Sequence, residues 1–187
     1  MAGMAEHGIE IEAKWRVGAR GHAQLRTVLR QLGGTHHQTA DETNTLFDTA
    51  TGTLRQNGQV LRLRSIAGGP TILTLKGPAT YRDGIKSRDE TETAVTDGAA
   101  LAGILAGLGL EPALEYRKTR ETWALGGALV ALDTLEFGRF AEIEGSEEQV
   151  RRTAALLGLD LAKSIEKGYP ALMRAHRAEG AAAEGGE

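Results

Sequence analysis

Cysteine is absent from this chain of 187 residues, so neither a disulfide framework nor a thiolate metal site is open to it. A reducing compartment fits that absence without being required by it. Aromatic residues are sparse at 4%, although the apolar fraction of 41% is ordinary for a globular protein. Neither sign of charge dominates. A net charge of −3 gives no sequence-independent grip on nucleic acid, yet it is compatible with strong local fields if acids and bases are segregated. No apolar run is long enough to span a membrane, and Met1 to Gly8 lacks the apolar core of a signal peptide. These exclusions leave a cytoplasmic protein with no membrane or nucleic-acid partner, monomeric or homodimeric. The length suits one domain, expected over residues 4–177, with a disordered Ala/Glu/Gly tail over 178–187.

The chain alternates strand and helix signals. A first strand is expected from about Gly8 to Val17, then a helix with Leu25, Val28, Leu29 and Leu32 on one stripe, ended by Gly33-Gly34. His36 to Asp48 reads as an extended polar segment and Thr51 to Gly58 as a turn. Gln59 to Arg64 and Thr71 to Lys76 form a hairpin around Gly68-Gly69-Pro70. Gly77 to Lys86 reads as a polar loop, followed by a strand over Ser87 to Thr96. Asp97 is placed to cap a helix carrying Leu101, Ile104, Leu105 and Leu108. A second hairpin, Leu114–Trp123 and Ala128–Leu135, turns at Gly126-Gly127, and a last strand runs through Glu144. Ser146 and Gln149 have capping-box spacing, and a final helix holds Ile165, Tyr169, Leu172 and Met173. The expectation is an α+β domain of about eight strands and four helices.

The strands share an unusual feature. In Glu10-Ile11-Glu12-Ala13-Lys14 the three charges are two residues apart, so a strand puts them on one face. Arg62/Arg64, Arg88/Glu90/Glu92, Lys118/Arg120 and Glu142/Glu144 repeat the pattern. One such strand would read as the solvated face of an open antiparallel sheet. Taken together they give carboxylates Glu10, Glu12, Glu90, Glu92, Asp133, Glu142 and Glu144, and cations Lys14, Arg62, Arg64, Lys76, Arg88, Lys118 and Arg120. A barrel of about eight strands holds side chains or one small ligand, and this lining would set carboxylates against cations around an extended anion. Carboxylates without thiol or imidazole suit hard cations such as Mg²⁺ or Mn²⁺. Arg and Lys clamp phosphate oxygens, so the combination points to phosphoryl chemistry on a small-molecule polyphosphate.

These residues resemble the CYTH family, the triphosphate tunnel metalloenzymes, which includes class IV adenylyl cyclases and thiamine triphosphatases. The family's Glu-x-Glu-x-Lys signature is similar to Glu10, Glu12 and Lys14. Leu-Arg-Leu-Arg (Arg62, Arg64), Thr-Leu-Lys-Gly (Lys76), the strand of Glu90 and Glu92, Arg-Lys-Thr-Arg (Lys118, Arg120), Leu-Asp (Asp133) and Phe-Ala-Glu-Ile-Glu-Gly (Glu142, Glu144) follow in order. Lys163-Ser164 with Tyr169 and Leu172 resembles the family's C-terminal Lys-Ser-Tyr-x-x-Leu element with an insertion.

The resemblance implies a closed eight-stranded antiparallel β-barrel with flanking helices, acting on triphosphate compounds with Mg²⁺ or Mn²⁺. It implies metal ligands at Glu10, Glu12, Asp133, Glu142 and Glu144, with one of Glu90 and Glu92. It implies triphosphate contacts at Lys14, Arg62, Arg64, Lys76, Arg120 and Lys163. Lys118 joins these contacts, although it and Arg88 can also serve to balance neighbouring acids. Lys14 and the metal-bound carboxylates, Glu10 and Glu12 among them, are the catalytic candidates. Asn44-Thr45-Leu46-Phe47-Asp48-Thr49 is similar to a segment of triphosphatase-like members, which favours hydrolysis of inorganic, thiamine or nucleoside triphosphate. A class IV adenylyl cyclase is the alternative within the fold, and a non-catalytic polyphosphate-binding module the alternative outside enzymes.

Other residues read as structural. His36 and His37 face opposite ways in a strand and cannot easily share a metal. Trp15, Trp123, Tyr116 and Tyr169 read first as packing, and Asp41/Glu42 as solvated charges.

Overall fold

The computed structural model describes residues 6–184, in which nine strands form one antiparallel sheet. The elements are β1 (Glu6–Arg16), α1 (Ala19–Gln31), β2 (Thr35–Asp48), α2 (Thr53–Gln56), β3 (Val60–Ile66), β4 (Thr71–Lys76), β5 (Thr80–Arg82), β6 (Ile85–Val95), α3 (Gly98–Gly107), β7 (Glu111–Leu125), β8 (Ala128–Leu135), β9 (Gly138–Glu144), α4 (Glu147–Leu156) and α5 (Tyr169–Glu184). Residues 4 and 5 of the expected domain and 185–187 of the expected tail lie outside the described residues.

The strand order is β1-β9-β8-β7-β2-β3-β4-β6-β5, and β1 also pairs with β6. Eight strands therefore close into a barrel, with the short β5 paired to β6 beyond the end of β4. Closure depends on β1 having two partners. Glu6 to Glu12 face Glu92 to Lys86 of β6, while Glu12 to Arg16 face Glu144 to Phe140 of β9. The two pairings overlap at Glu12, as the stagger of a closed barrel requires.

Alternation sorts the side chains. On β1 the outward Ala13 and Trp15 join Val130, Leu132 and Ile143 beneath Leu25 and Leu29 of α1 and Val150, Ala154 and Leu157 of α4. A second outer cluster packs Phe47, Leu61 and Leu63 against Leu105 of α3. The helix starts follow the sequence signals: Asp97 accepts from the Ala100 amide at 2.9 Å, and Ser146 and Gln149 form a full capping box. Gly126 and Gly127 both have positive φ, 60° and 86°, which suits the two-residue hairpin between β7 and β8.

Three expectations need correction. The segment 77–86 is not a loop: Asp83 (φ 50°) and Gly84 (φ 78°) make a tight hairpin that pairs β5 with β6. An Asp-Gly pair is a strong hairpin signal, since both central residues need positive φ. On α3 only Leu105 of the expected stripe is buried, whereas Ile104 and Leu108 are 61% and 72% exposed. These two are one turn apart on the side of the helix away from the sheet. Finally, α5 begins at Tyr169, after Ile165, and runs through the expected tail to Glu184.

Candidate active site

The inner face of the barrel is ionic. Because Trp15 and Ala13 are committed to the outer core, Glu12 and Lys14 must point inward, and cross-strand pairing carries that parity around the barrel. Lys14 Nζ lies 3.0 Å from Glu142 and 4.0 Å from Glu12. Lys76 Nζ bridges Glu10 at 2.6 Å and Glu90 at 3.1 Å, and Arg88 Nε donates to Glu10 at 2.9 Å. Lys86 pairs with Glu12. Arg120 donates to both oxygens of Asp133, at 2.8 and 2.6 Å, and also pairs with Glu142. Lys118 sits 3.3 Å from Asp133 and 3.5 Å from Glu42. Arg64 faces Glu92 at 3.4 Å, and Thr74 donates to the same carboxylate at 2.9 Å.

The fields in this ring set the protonation states. Burial alone would raise the pKa of Glu10, but Lys76, Lys86 and Arg88 outweigh it and hold the carboxyl far below its ordinary range. Burial would lower Lys14, yet Glu142 and Glu12 raise it above the usual lysine value. Lys14 is therefore held firmly as an ammonium. Lys76 and Lys118 shift the other way, through burial and then the guanidiniums of Arg62 and Arg120 respectively. Glu144, one step beyond Glu142 toward the mouth, keeps contact with solvent. Crowding by the surrounding protein, and then the carboxylates of Glu10 and Glu12, pushes it up to about 7.

One wall is under-satisfied. Among the described residues six buried side-chain atoms lack a hydrogen-bond partner, and five belong to β2 and β3. They are both amide atoms of Asn44, Nε of Arg62, Nε of Arg64, and Oε2 of Glu42, a carboxylate that pairs with Lys118 and Arg64. Asn44 pairs across the sheet with Arg64 and with Tyr116. Arg62 reaches Thr74 at 3.3 Å and Glu92 at 3.9 Å and lies beside the Tyr116 phenol. Buried donors without partners mark where a ligand or water belongs.

The barrel has a floor. Leu46, Leu114, Tyr116, Leu135 and Phe140 continue the inward faces of their strands past the charged layer and meet Tyr169 and Met173 of α5 in one apolar cluster. The Tyr169 hydroxyl reaches up to donate to Asp133 at 2.8 Å, and its ring lies under Lys14, 4.1 Å from Nζ. Tyr169 and Tyr116 do pack, as expected, but they also touch the ionic ring. The site is a cup with one open mouth.

The structure brings together Glu10, Glu12, Lys14, Arg62, Arg64, Lys76, Arg88, Glu90, Glu92, Lys118, Arg120, Asp133, Glu142 and Glu144. It excludes Lys163, whose side chain is 81% exposed and has only Asp160 at 4.0 Å. The Trp15 indole, on the outer face of β1, holds the Asp160 carbonyl at 2.8 Å, which fixes the following turn outside the barrel. Sequence reasoning missed Lys86, Glu42, Asn44 and Thr74. Lys86 continues the alternation of Arg88, Glu90 and Glu92 backward, and assigning that stretch to a loop hid it. Glu42, read as a solvated charge, is 4% exposed, two residues from Asn44 on the same inward face.

The acidic wall offers only oxygen donors. Among the described residues no three His, Asp or Glu side chains stand grouped to hold a metal ion. Glu144 takes part in none of the ion pairs above, and burial, then the nearby carboxylates of Glu10 and Glu12, raises its pKa. All-oxygen donors of this kind are the ligand type that Mg²⁺ or Mn²⁺ takes. Asp133 is different. Arg120, Lys118 and Tyr169 already surround it, so it anchors the cationic wall.

The model of the CYTH domain family matches residues 8–169, and the chain belongs to that family. Solved structures share the fold. A candidate adenylate cyclase from Vibrio parahaemolyticus superposes with a TM-score of 0.78 at 24% identity, over 90% of this chain and 99% of that one. A Pyrococcus horikoshii protein gives a TM-score of 0.73 at 22% identity, over 89% and 99% of the two chains. A candidate adenylyl cyclase from Hippeastrum, described with a dominant triphosphatase activity, gives 0.71 at 20% identity, over 89% and 96%. At these identities the likeness speaks for the fold. No curated protein matches in sequence. Among the described residues no helix is long and apolar enough to cross a membrane.

Proposed function

We propose that this chain hydrolyses triphosphate compounds inside the cup, with Mg²⁺ or Mn²⁺ as cofactor. The observation that carries the reading is the division of the ring. Carboxylates Glu10, Glu12 and Glu144 crowd together on one side, and guanidiniums with spare donors stand at Arg62 and Arg64. A polyphosphate is the small molecule that answers both walls at once. Glu10, Glu12 and Glu144 would hold the divalent ion, with Glu90 and Glu142 beside them. Once bound, that ion supplies neutralisation of charge on the phosphoryl oxygens. Arg62 and Arg64 grip the phosphate chain with their unpaired Nε donors, while Lys14 and Lys76 hold fixed positive charge against it. Asp133 keeps Arg120 and Lys118 in place, and the floor of Phe140, Tyr169 and Met173 excludes water from below. Positioning and charge neutralisation supply most of the catalysis in such a transfer.

Hydrolysis is preferred over cyclisation because the segment Asn44 to Thr49 resembles triphosphatase-like members, and because the Hippeastrum relative is described with a dominant triphosphatase activity. The test is product analysis by anion exchange after incubation with inorganic triphosphate, thiamine triphosphate and ATP, each with Mg²⁺ or Mn²⁺. Orthophosphate without cyclic AMP is expected. Cyclic AMP and pyrophosphate from ATP would establish the cyclase instead. Glu12→Ala should abolish turnover, and full metal-dependent turnover in that variant would refute the proposal. A binding module would hold triphosphate without turnover, equally well or tighter in that variant.

A further inference from the structure

We infer that Asn44 is a ligand-contacting residue that donates its amide to the innermost phosphoryl group of the bound triphosphate. This rests on the reading of the cup as a triphosphate site and adds to it the direction in which the substrate enters.

Three observations converge on Asn44. It has no solvent exposure, and neither its Oδ1 nor its Nδ2 has a partner. A buried carboxamide normally finds partners, so one with both atoms idle is held ready for a group that arrives from outside. Next, the amide sits in a patch of idle donors. Arg64 is its cross-strand neighbour, and Nε of both Arg62 and Arg64 is likewise unpartnered. These N–H groups present donors to one side of the cup, as an anion requires. Last, Asn44 is the final polar inward residue of β2 before the floor. The next inward residue along β2 is Leu46, part of the apolar floor with Tyr169, Met173 and Phe140.

Depth gives the direction. A linear triphosphate can reach Asn44 only with an unesterified end, since the floor leaves no exit for an organic group. The end that meets Asn44 is then the terminal phosphoryl, and any nucleoside or thiamine moiety stays at the mouth near Glu144. A neutral amide also suits this position physically. It donates to a phosphoryl oxygen without adding another cation to a layer that already holds Arg62, Arg64, Lys118 and Arg120.

Two variants and one ligand test this. Asn44→Leu matches the volume and removes both hydrogen-bonding atoms. Asn44→Asp keeps the shape but replaces the donor with a carboxylate beside Arg64. Titration calorimetry with inorganic triphosphate in Ca²⁺, thermal unfolding of the ligand-free proteins, and turnover of inorganic triphosphate in Mg²⁺ are measured together. Asn44→Leu should unfold no earlier than the parent, because it loses no existing hydrogen bond. Asn44→Leu should bind triphosphate about tenfold or more weakly, and Asn44→Asp about a hundredfold or more. The unaltered protein should bind di(adenosine-5′) triphosphate, esterified at both ends, at least about tenfold more weakly than inorganic triphosphate.

A lower unfolding midpoint with unchanged triphosphate affinity in Asn44→Leu would assign the amide to a structural water and overturn the inference. Equal affinity for the doubly esterified ligand would overturn the direction of entry. An unaltered protein that neither binds nor hydrolyses triphosphate would remove the proposed function itself. One that does both, while Asn44→Leu is indifferent, would remove only this inference.

Discussion

Tyr169→Phe isolates the bond between the floor of the cup and its ionic ring. The hydroxyl donates to Asp133 Oδ2 at 2.8 Å, and Asp133 is fully buried. Burial, then the carboxylates of Glu142 and Asp133, raises the phenol well above its ordinary pKa, so it is a donor at any ordinary assay pH. Phenylalanine keeps the ring against Phe140, 5.2 Å between centroids, and beneath Lys14. The variant therefore loses one hydrogen bond to a buried charge, worth about 1.5–3 kcal/mol. Asp133 Oδ2 retains Arg120 Nη2 at 2.6 Å and Lys118 Nζ at 3.3 Å, which places the loss at the lower end. A destabilisation of about 1.5 kcal/mol should lower the thermal midpoint by about 3–6 °C in a chain of this size. Urea unfolding at neutral pH measures it directly, and an unchanged m-value would show that the denatured state is unaffected. Tyr169→Ala, which also empties the ring's place in the cluster, should cost about 3–5 kcal/mol. A Tyr169→Phe variant as stable as the parent would refute the claim that α5 is pinned to the ring through Asp133.

Two further outcomes are expected. Asp48 accepts from the amides of Thr49 and Leu54 at 2.8 Å and Arg55 at 3.1 Å; burial would raise its pKa, but these amides outweigh it and hold it below the usual 3.8. Asp48→Asn should cost about 1 kcal/mol near neutral pH. A depressed folded pKa gives stability that is present above the unfolded value and lost as pH falls through the folded one, so the difference from the parent should shrink below about pH 3.8. A pH-independent gap in chemical denaturation would contradict that linkage. Lys163→Ala, at an 81% exposed side chain, should leave KM for inorganic triphosphate within about twofold, whereas Arg62→Ala should raise it at least about tenfold. A large effect at Lys163 in steady-state kinetics would show that the terminal segment reaches the cup.

Local parity made most of the ring legible in the sequence. Ile11, Ala13 and Trp15 demand a core, so Glu10, Glu12 and Lys14 have only the other face, and no knowledge of the partner strands is needed to say so. The same holds for Arg62/Arg64 between Leu61 and Leu63, and for Glu142 beside Ile143. The helix caps were legible because they depend on residues three apart. The Asp83-Gly84 hairpin was equally local and was passed over inside a polar segment.

Long-range pairing settled the rest. Closure depends on β1 meeting both β6 and β9, roughly 80 and 130 residues away, and no alternation within β1 can choose those partners. Tyr169 becomes part of the site only because α5 enters the end of the barrel that Phe140 and Leu46 leave apolar. Lys163 is kept out because Trp15 holds the preceding turn on the opposite side of β1. Glu42 and Asn44 lie in a strand of mostly polar residues, where alternation carries little contrast, so only the neighbours Arg64, Tyr116 and Lys118 reveal which face is buried. The sequence by itself determined which side chains share a face, because that follows from the geometry of one strand. Which faces look into the cup, and what closes its floor, came from contacts between distant segments that only the folded chain brings together.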